Sequence, residues 1–400
     1  MAPIAVRAFN FVSHCLPRSA ARRFSLHSDE LLNIACERTG LDDYGDKVFR
    51  PFLDAALDAV SLEGELSSFG QFTYREFTLA TLANRLRIVD YSKRSTISKP
   101  VKKPIIIIGL YRTGSTYLHN LLSCHKDLRS PLFWQLKYPV PLKRNATAAA
   151  SIARTKREQR IHRYLSPAFN RVHPMDAEKP EECLHLFEPT FASTTPFFIT
   201  AAHRFGLWLL KQDLSEAYSF YAKQLGLLEK DGENSRWLLK WPYHTWHLDK
   251  LYALWPDAHF IFLHRDPVQA LSSVSNLAAL AKAPFCTHID RAALNRYWLD
   301  YCDSGLQRAA TARVNITKSH ITDIRYSDLV RNPIDILEKI TRNAGLETYS
   351  SWYKEMQGVV NNLNRNHTPQ PHSRKTLEIT PEEVRERFRD YIDNYDLAAT

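Results

Sequence analysis

Three stretches of the chain are apolar almost without a break, and the segments between them repeat at helical spacing. "PIIIIG" (104–109) is a β-branched run, as expected of a strand covered on both faces. "RWLLKW" (236–241) and "AHFIFLHR" (258–265) are further runs of this kind, and "HITDIRYSDL" (320–329) supplies another strand, turning into a helix through Ser327 or Asp328. Long helical segments separate these runs. They predict crossover connections and an α/β fold with a mostly parallel central sheet flanked by helices. Ahead of the first run, "SDELLNIACERTGL" places Leu31, Leu32 and Ala35 at helical intervals, with Gly40 as a stop, and 47–90 continue likewise. Residues 28–94 thus form an N-terminal helical segment. "STISKPVKKP" (95–104), with Pro100 and Pro104, reads as a linker into the main domain, 104–400. In the closing "TPEEVRERFRDYI", Thr380 is an N-cap, Pro381 the first helical residue and Glu383 the partner that completes a capping box.

Charge narrows the partners. The chain has 53 Lys and Arg against 43 Asp and Glu, a net +10 that favours anionic ligands. The basic residues are dispersed without an interleaved basic-aromatic patch, which argues against nucleic acid. Cys15, Cys36, Cys124, Cys183, Cys286 and Cys302 are scattered, with no CxxC pair. They read as reduced thiols, and no His/Cys cluster has zinc-ligand spacing. No apolar run approaches the roughly 18 residues a membrane helix needs. Residues 1–27 stand apart, with Arg7, Arg18, Arg22 and Arg23 and no acid before Asp29. That is the composition of a mitochondrial transit peptide, and "RRFS" (22–25) resembles a matrix-protease cleavage site; the alternative is a basic arm that stays attached. The location expected is cytoplasmic, or mitochondrial if the arm is a leader.

The chemistry begins after the first strand, in "IIIIGLYRTGSTYLHNLL" (105–122). Gly109, four residues, Gly114 and a Ser/Thr outline a phosphate-binding loop. A nucleotide-hydrolysing loop carries Lys after the second Gly; here Ser115 stands there and the cation is Arg112. Unpaired N–H groups at the start of the following helix, together with its dipole, favour an anion. Thr113, Ser115 and Thr116 add hydroxyls, Gly114 allows close backbone approach, and Tyr117 begins the helix's apolar face. A second site is "FLHRDPVQALSSVSNL" (262–277). There a strand delivers Arg265, Asp266 caps the next helix, Pro267 occupies its first position, and Ser273 lies about two turns in. Two such sites suit a nucleotide phosphorylated at two separated positions.

Their order and chemistry resemble the cytosolic-type sulfotransferase superfamily, in particular the bacterial-type "sulfotransferase family" proteins. "TGLDDYGD" (39–46), "LANRLRIVDY" (82–91), "HPMDAEKPEEC" (173–183), "WLLKWPYH" (237–244) and "WPDA" (255–258) fall in that family's order, so the likeness covers about residues 28 to 395. It implies a P-loop-like sulfotransferase fold. It also implies 3′-phosphoadenosine 5′-phosphosulfate (PAPS) as co-substrate, without a metal. Arg112, Thr113, Gly114, Ser115, Thr116 and Tyr117 would hold the 5′-phosphosulfate end, and Arg265 and Ser273 the 3′-phosphate. Two departures stand out: Tyr111 replaces the commoner Pro, and Gln135 stands where relatives often have Glu.

Sulfuryl transfer needs a base for the acceptor hydroxyl and cations where charge develops on the leaving oxygen. By the same resemblance, Lys240 in "KWPYH" contacts the transferring group and His244 is the base. His173, 61 residues after Arg112, and the cluster Glu178, Glu181 and Glu182 are rivals for the base. Arg374 and Lys375 in "HSRKT" (372–376) offer extra phosphate contacts, or a solvated charge run. Aromatic residues at 187–220 suit a small-molecule or lipid-like alcohol acceptor, or plain core. A homo-oligomer is compatible with all of this. Two other readings remain: a P-loop small-molecule kinase holding its metal on Asp266, and a non-catalytic nucleotide-binding scaffold.

Overall fold

The computed structural model describes residues 3–13, 24–95, 100–229, 235–366 and 379–397, with the backbone alone for 350, 351 and 361–366. The expected phosphate contacts Arg374 and Lys375, and Arg18, Arg22 and Arg23 of the N-terminal arm, lie outside them. Helices α1 (Ile4–Ser13), α2 (Ser28–Thr39), α3 (Phe49–Glu63) and α4 (Ser68–Arg94) precede the sheet. The sheet comprises β1 (Ile105–Gly109), β2 (Leu128–Arg129), β3 (Arg236–Lys240), β4 (His259–His264) and β5 (Ile321–Arg325). Helix α5 (Ser115–Leu122) follows β1 directly. The strand order is β2-β3-β1-β4-β5 and every pair is parallel. Only β2 is absent from the apolar pattern, because two residues are too few to make one.

The unbroken apolar runs have a direct cause. Side chains alternate across a strand. Ile106 and Ile108 therefore join Leu239, Phe260 and Phe262 in a core that extends to the N-terminal helices. Ile105 and Ile107 face the other way, with Leu238, Ile261, Leu263 and the α5 residues Leu118, Leu121 and Leu122. Both faces are covered, so neither tolerates a polar position.

Arg85 of "LANRLRIVDY" fastens α4 to the rest of the molecule. Its guanidinium lies between the rings of Phe49 (4.2 Å) and Phe220 (4.4 Å) and donates to the carbonyls of Tyr44 and Pro189. Burial lowers its pKa to about 10, and Asp46 partly offsets this. At the other end of the chain, Thr380 Oγ1 accepts from Glu383 N (3.1 Å), and the helix Pro381–Arg387 breaks at Phe388 before continuing as Arg389–Tyr395. This last helix reaches the end of β4. His264 Nδ1 lies 3.2 Å from the Tyr391 hydroxyl and Nε2 2.9 Å from Asp323 Oδ1, and Tyr395 stacks on the ring. The residue immediately before Arg265 is thereby fixed on three sides.

Candidate active site

The phosphate-type loop has the backbone its glycines imply. Gly109 has φ 143° and Gly114 φ 89°, and Arg112 between them is also left-handed at 68°. A Cβ on Gly114 would lie 2.7 Å from the Tyr326 ring, and one on Gly109 2.6 Å from the Leu263 carbonyl. Both positions therefore need glycine for space as well as for conformation. Thr245 ties the strand end down: its Oγ1 accepts from Gly109 N (2.8 Å) and donates to Gly109 O (2.9 Å). Thr113 departs from expectation. Its hydroxyl donates to Leu110 O (2.8 Å) inside the loop, so it shapes the turn and is not free to meet an anion. Within α5 the Leu118 N–H is the first to bond back to the turn, at Gly114 O (3.1 Å). The N–H groups of Ser115, Thr116 and Tyr117 are left pointing out of the helix start.

The two sites read separately from the sequence form one. Strands β1 and β4 are neighbours, with Gly109 opposite Leu263. Arg112 Nε accordingly donates to Ser273 Oγ (3.0 Å), and Arg265 Nη1 donates to Arg112 O (2.6 Å). The Arg265 guanidinium also lies 4.2 Å over the Tyr326 ring and donates to Gln269 (3.0 Å), while its buried Nε has no hydrogen-bond partner. Burial, and then the charge of Arg265, lowers the Arg112 pKa, with Glu182 opposing; burial likewise lowers that of Arg265. Two guanidiniums and a helix start converge with less negative charge than they can neutralise. Such a pocket is built for a multiply charged anion.

Lys240 supplies the third cation. It ends β3 directly beside β1, in register with Ile107, and is 1% exposed. Its Nζ lies 2.9 Å from Glu182 Oε1, 3.3 Å from Thr116 Oγ1 and 3.8 Å from Glu181 Oε1. The acidic segment is held there because Cys183 N donates to Lys240 O (2.9 Å). His173 joins behind it, its Nε2 3.6 Å from Glu181 Oε1. Burial pushes the Glu181 pKa up, but His173 and Lys240 outweigh it and hold the carboxyl well below the usual range. Glu178, by contrast, points away to pair with Lys156. Gln135 accepts from Leu132 N (2.9 Å) and so caps its own short helix.

The structure does not bring His244 into this cluster. It is fully buried, with Nδ1 3.1 Å from the Tyr218 hydroxyl and the rings of Phe187, Tyr221 and Trp241 around it. Burial holds its pKa at about 3. Two residues not foreseen do belong to the cluster. His119 on α5 is buried, has no partner at Nε2, and is held at about 3 by burial and then by the charge of Lys240. Tyr326 directly follows β5 and underlies Arg265; the rule that sites gather at the carboxyl ends of parallel strands pointed to it. Among the described residues no three metal-ligating side chains gather, and no helix is long and apolar enough to cross a membrane.

Residues 104–351 match the model of the sulfotransferase family. Among solved structures, the sulfotransferase STF1 of Mycobacterium tuberculosis H37Rv is 28% identical, with a TM-score of 0.74 over 91% of this chain and 98% of that one. The sulfotransferase STF9 of Mycobacterium avium is 24% identical and shares the fold at a TM-score of 0.82, over 93% and 97%. No curated protein matches the sequence. Since the family match spans more than half of its length, the chain belongs to the sulfotransferase family.

Proposed function

We propose that this sulfotransferase uses PAPS as donor and delivers the sulfuryl group to a hydroxyl of a small-molecule or lipid-like acceptor. The observation that carries the donor is the contact of Arg112 with Ser273 and Arg265, which makes two anion sites into one continuous cationic pocket beside the start of α5. When bound, PAPS supplies the sulfuryl group; a sulfur–oxygen bond forms to the acceptor as the bond to the 5′-phosphate breaks. Arg112 and the N–H groups of Ser115, Thr116 and Tyr117 face the leaving phosphate, where negative charge grows. Arg265 and Ser273 hold the 3′-phosphate. Tyr117 opens onto a cavity of about 370 Å³ with Arg331, Asn332 and Gln357 on its wall, which gives the nucleoside room.

Lys240 faces the transferring group, and Glu182 takes the acceptor's proton. Glu182 is the carboxylate nearest Lys240, is partly open to solvent, and acts electrostatically on both Arg112 and Tyr111. Glu181, kept ionised by His173, fixes Lys240 from behind. The kinase reading lacks the lysine after Gly114 that would contact the transferred phosphate, and Asp266 Oδ1 serves as a helix cap, accepting from Val268 N (2.9 Å). The five described cysteines are free, which suits a reducing compartment, cytoplasmic or mitochondrial.

Calorimetry with the product nucleotide, adenosine 3′,5′-bisphosphate, tests the donor. Binding without metal, lost in Arg265→Ala and absent with AMP, is the expected result. Binding of Mg·ATP with none of the bisphosphate would overturn the reading.

A further inference from the structure

Helix α1 is amphipathic the wrong way round for a helix that only packs on a protein. Its inner face is built into the fold. Val6 is buried, the Phe9 ring lies 5.6 Å from Phe69 and 5.5 Å from Phe72, and Asn10 Oδ1 accepts from Phe69 N (2.8 Å) at the first turn of α4. The outer face should then be polar. Instead Ile4 is 74% exposed, Phe11 75% and Val12 57%. Ala5 and Ala8 are exposed between them, and Arg7 is exposed at the edge. At 100° per residue these five apolar side chains fall within an arc of about 120°, and Arg7 borders it. Leu62, 84% exposed, lies five residues before Ser67, which caps α4 where α1 is attached.

We infer that the outer face of α1 is a docking surface for an anionic lipid bilayer. This rests on the lipid-like acceptor proposed above and gives it a route, since docking brings the site to hydroxyls carried in the membrane. Charge complementarity selects the occupant. Arg7 borders the apolar strip, and the sequence through Ser28 carries four arginines and no acid. A short helix with a bulky apolar face and a basic border lies in the plane of a bilayer interface and prefers anionic headgroups. A second copy of the chain fits less well. Ten helical residues make a strip about 15 Å long and about 10 Å wide, well short of the roughly 800 Å² per partner of a stable interface.

The full chain is sedimented with vesicles of phosphatidylcholine alone and with vesicles half phosphatidylglycerol, with bisphosphate calorimetry run on the same samples. The anionic vesicles are expected to retain the protein, less so at high salt. The variant Ile4→Glu/Phe11→Glu should lower that affinity about tenfold or more, because each substitution replaces a large apolar burial by a charge. Arg7→Gln should weaken it less, and nucleotide binding should be the same in every variant. Equal retention by neutral and anionic vesicles, no retention, or wild-type retention of the double variant overturns the inference. So does a dimer, seen by light scattering, that the double variant dissolves, since the strip then pairs two copies. Calorimetry keeps the outcomes apart: intact nucleotide binding with failed docking refutes the docking alone.

Discussion

Lys240→Met is the sharpest perturbation the site offers, because the ammonium is almost fully enclosed and its partners are fixed. It removes a 2.9 Å contact to Glu182 and leaves Glu181, 3.8 Å away, without its nearest lysine. Breaking a buried ion pair from one side costs about 3–5 kcal/mol, mostly through the charge left behind. Glu182 is 17% exposed and Arg112 is close enough to act on its charge, which places the cost near the lower end, about 3 kcal/mol. Glu182→Gln alone leaves Lys240 facing Glu181 and should cost about 1–2 kcal/mol. Once Gln stands at 182, removing the lysine strands less charge. The double variant should therefore be more stable than the sum of the singles by about 1–2 kcal/mol. Urea unfolding of the four proteins measures that coupling. Function should divide differently: Lys240→Met keeps the bisphosphate site, so calorimetry should change little, whereas transfer should fall about 10²–10³-fold. A coupling below about 0.5 kcal/mol would refute the ion pair as an organising contact. Transfer at the wild-type rate would refute the role of Lys240 in the chemistry.

Gly114→Ala should abolish bisphosphate binding by calorimetry, since a left-handed alanine costs about 1–2 kcal/mol and its Cβ meets the Tyr326 ring at 2.7 Å; unchanged affinity would show that the loop can relax. Acid should destabilise the protein through its enclosed imidazoles. His119 and His244 are both held at about 3 by burial, below the unfolded value near 6.5, so the unfolded chain binds more protons. Their stabilisation is complete above about pH 6.5 and is lost as pH falls from there toward 3, together about 2–3 kcal/mol per pH unit below pH 6. Urea midpoints at pH 7, 6 and 5 measure this; His162, His203, His247 and His259 are also held low by burial and steepen the slope further, and His244→Phe should remove about 1.4 kcal/mol per pH unit of it. With Glu182 as the base, His244→Phe should also leave the rate of transfer in place while Glu182→Gln lowers it about 10²–10⁴-fold; the opposite pattern would return the base to His244.

What the sequence showed clearly was whatever depends on neighbours along the chain. The β1 run, its two glycines and Arg112 lie within the ten residues 105–114, and the cap formed by Asp266 and Pro267 is equally local. The pairing of Arg112 with Ser273 was not legible, because it requires β1 and β4 to lie side by side with Gly109 opposite Leu263, and no local pattern encodes strand order. His244 shows the finer version of that limit. The stretch "KWPYH" was recognisable, but Pro242–His247 is a 3₁₀ turn, in which successive side chains are about 120° apart. The rotation aims Thr245 at Gly109 and turns His244, one residue earlier, into the rings of Phe187 and Tyr218. A single step of helical phase thus decides which of two adjacent polar residues faces the loop. The carboxylates reach Lys240 by a different route, a backbone bond from Cys183 onto the strand end, which works whatever phase the 3₁₀ turn has. That independence favours Glu182 as the base: its position is set by the sheet itself, the most rigid part of the site.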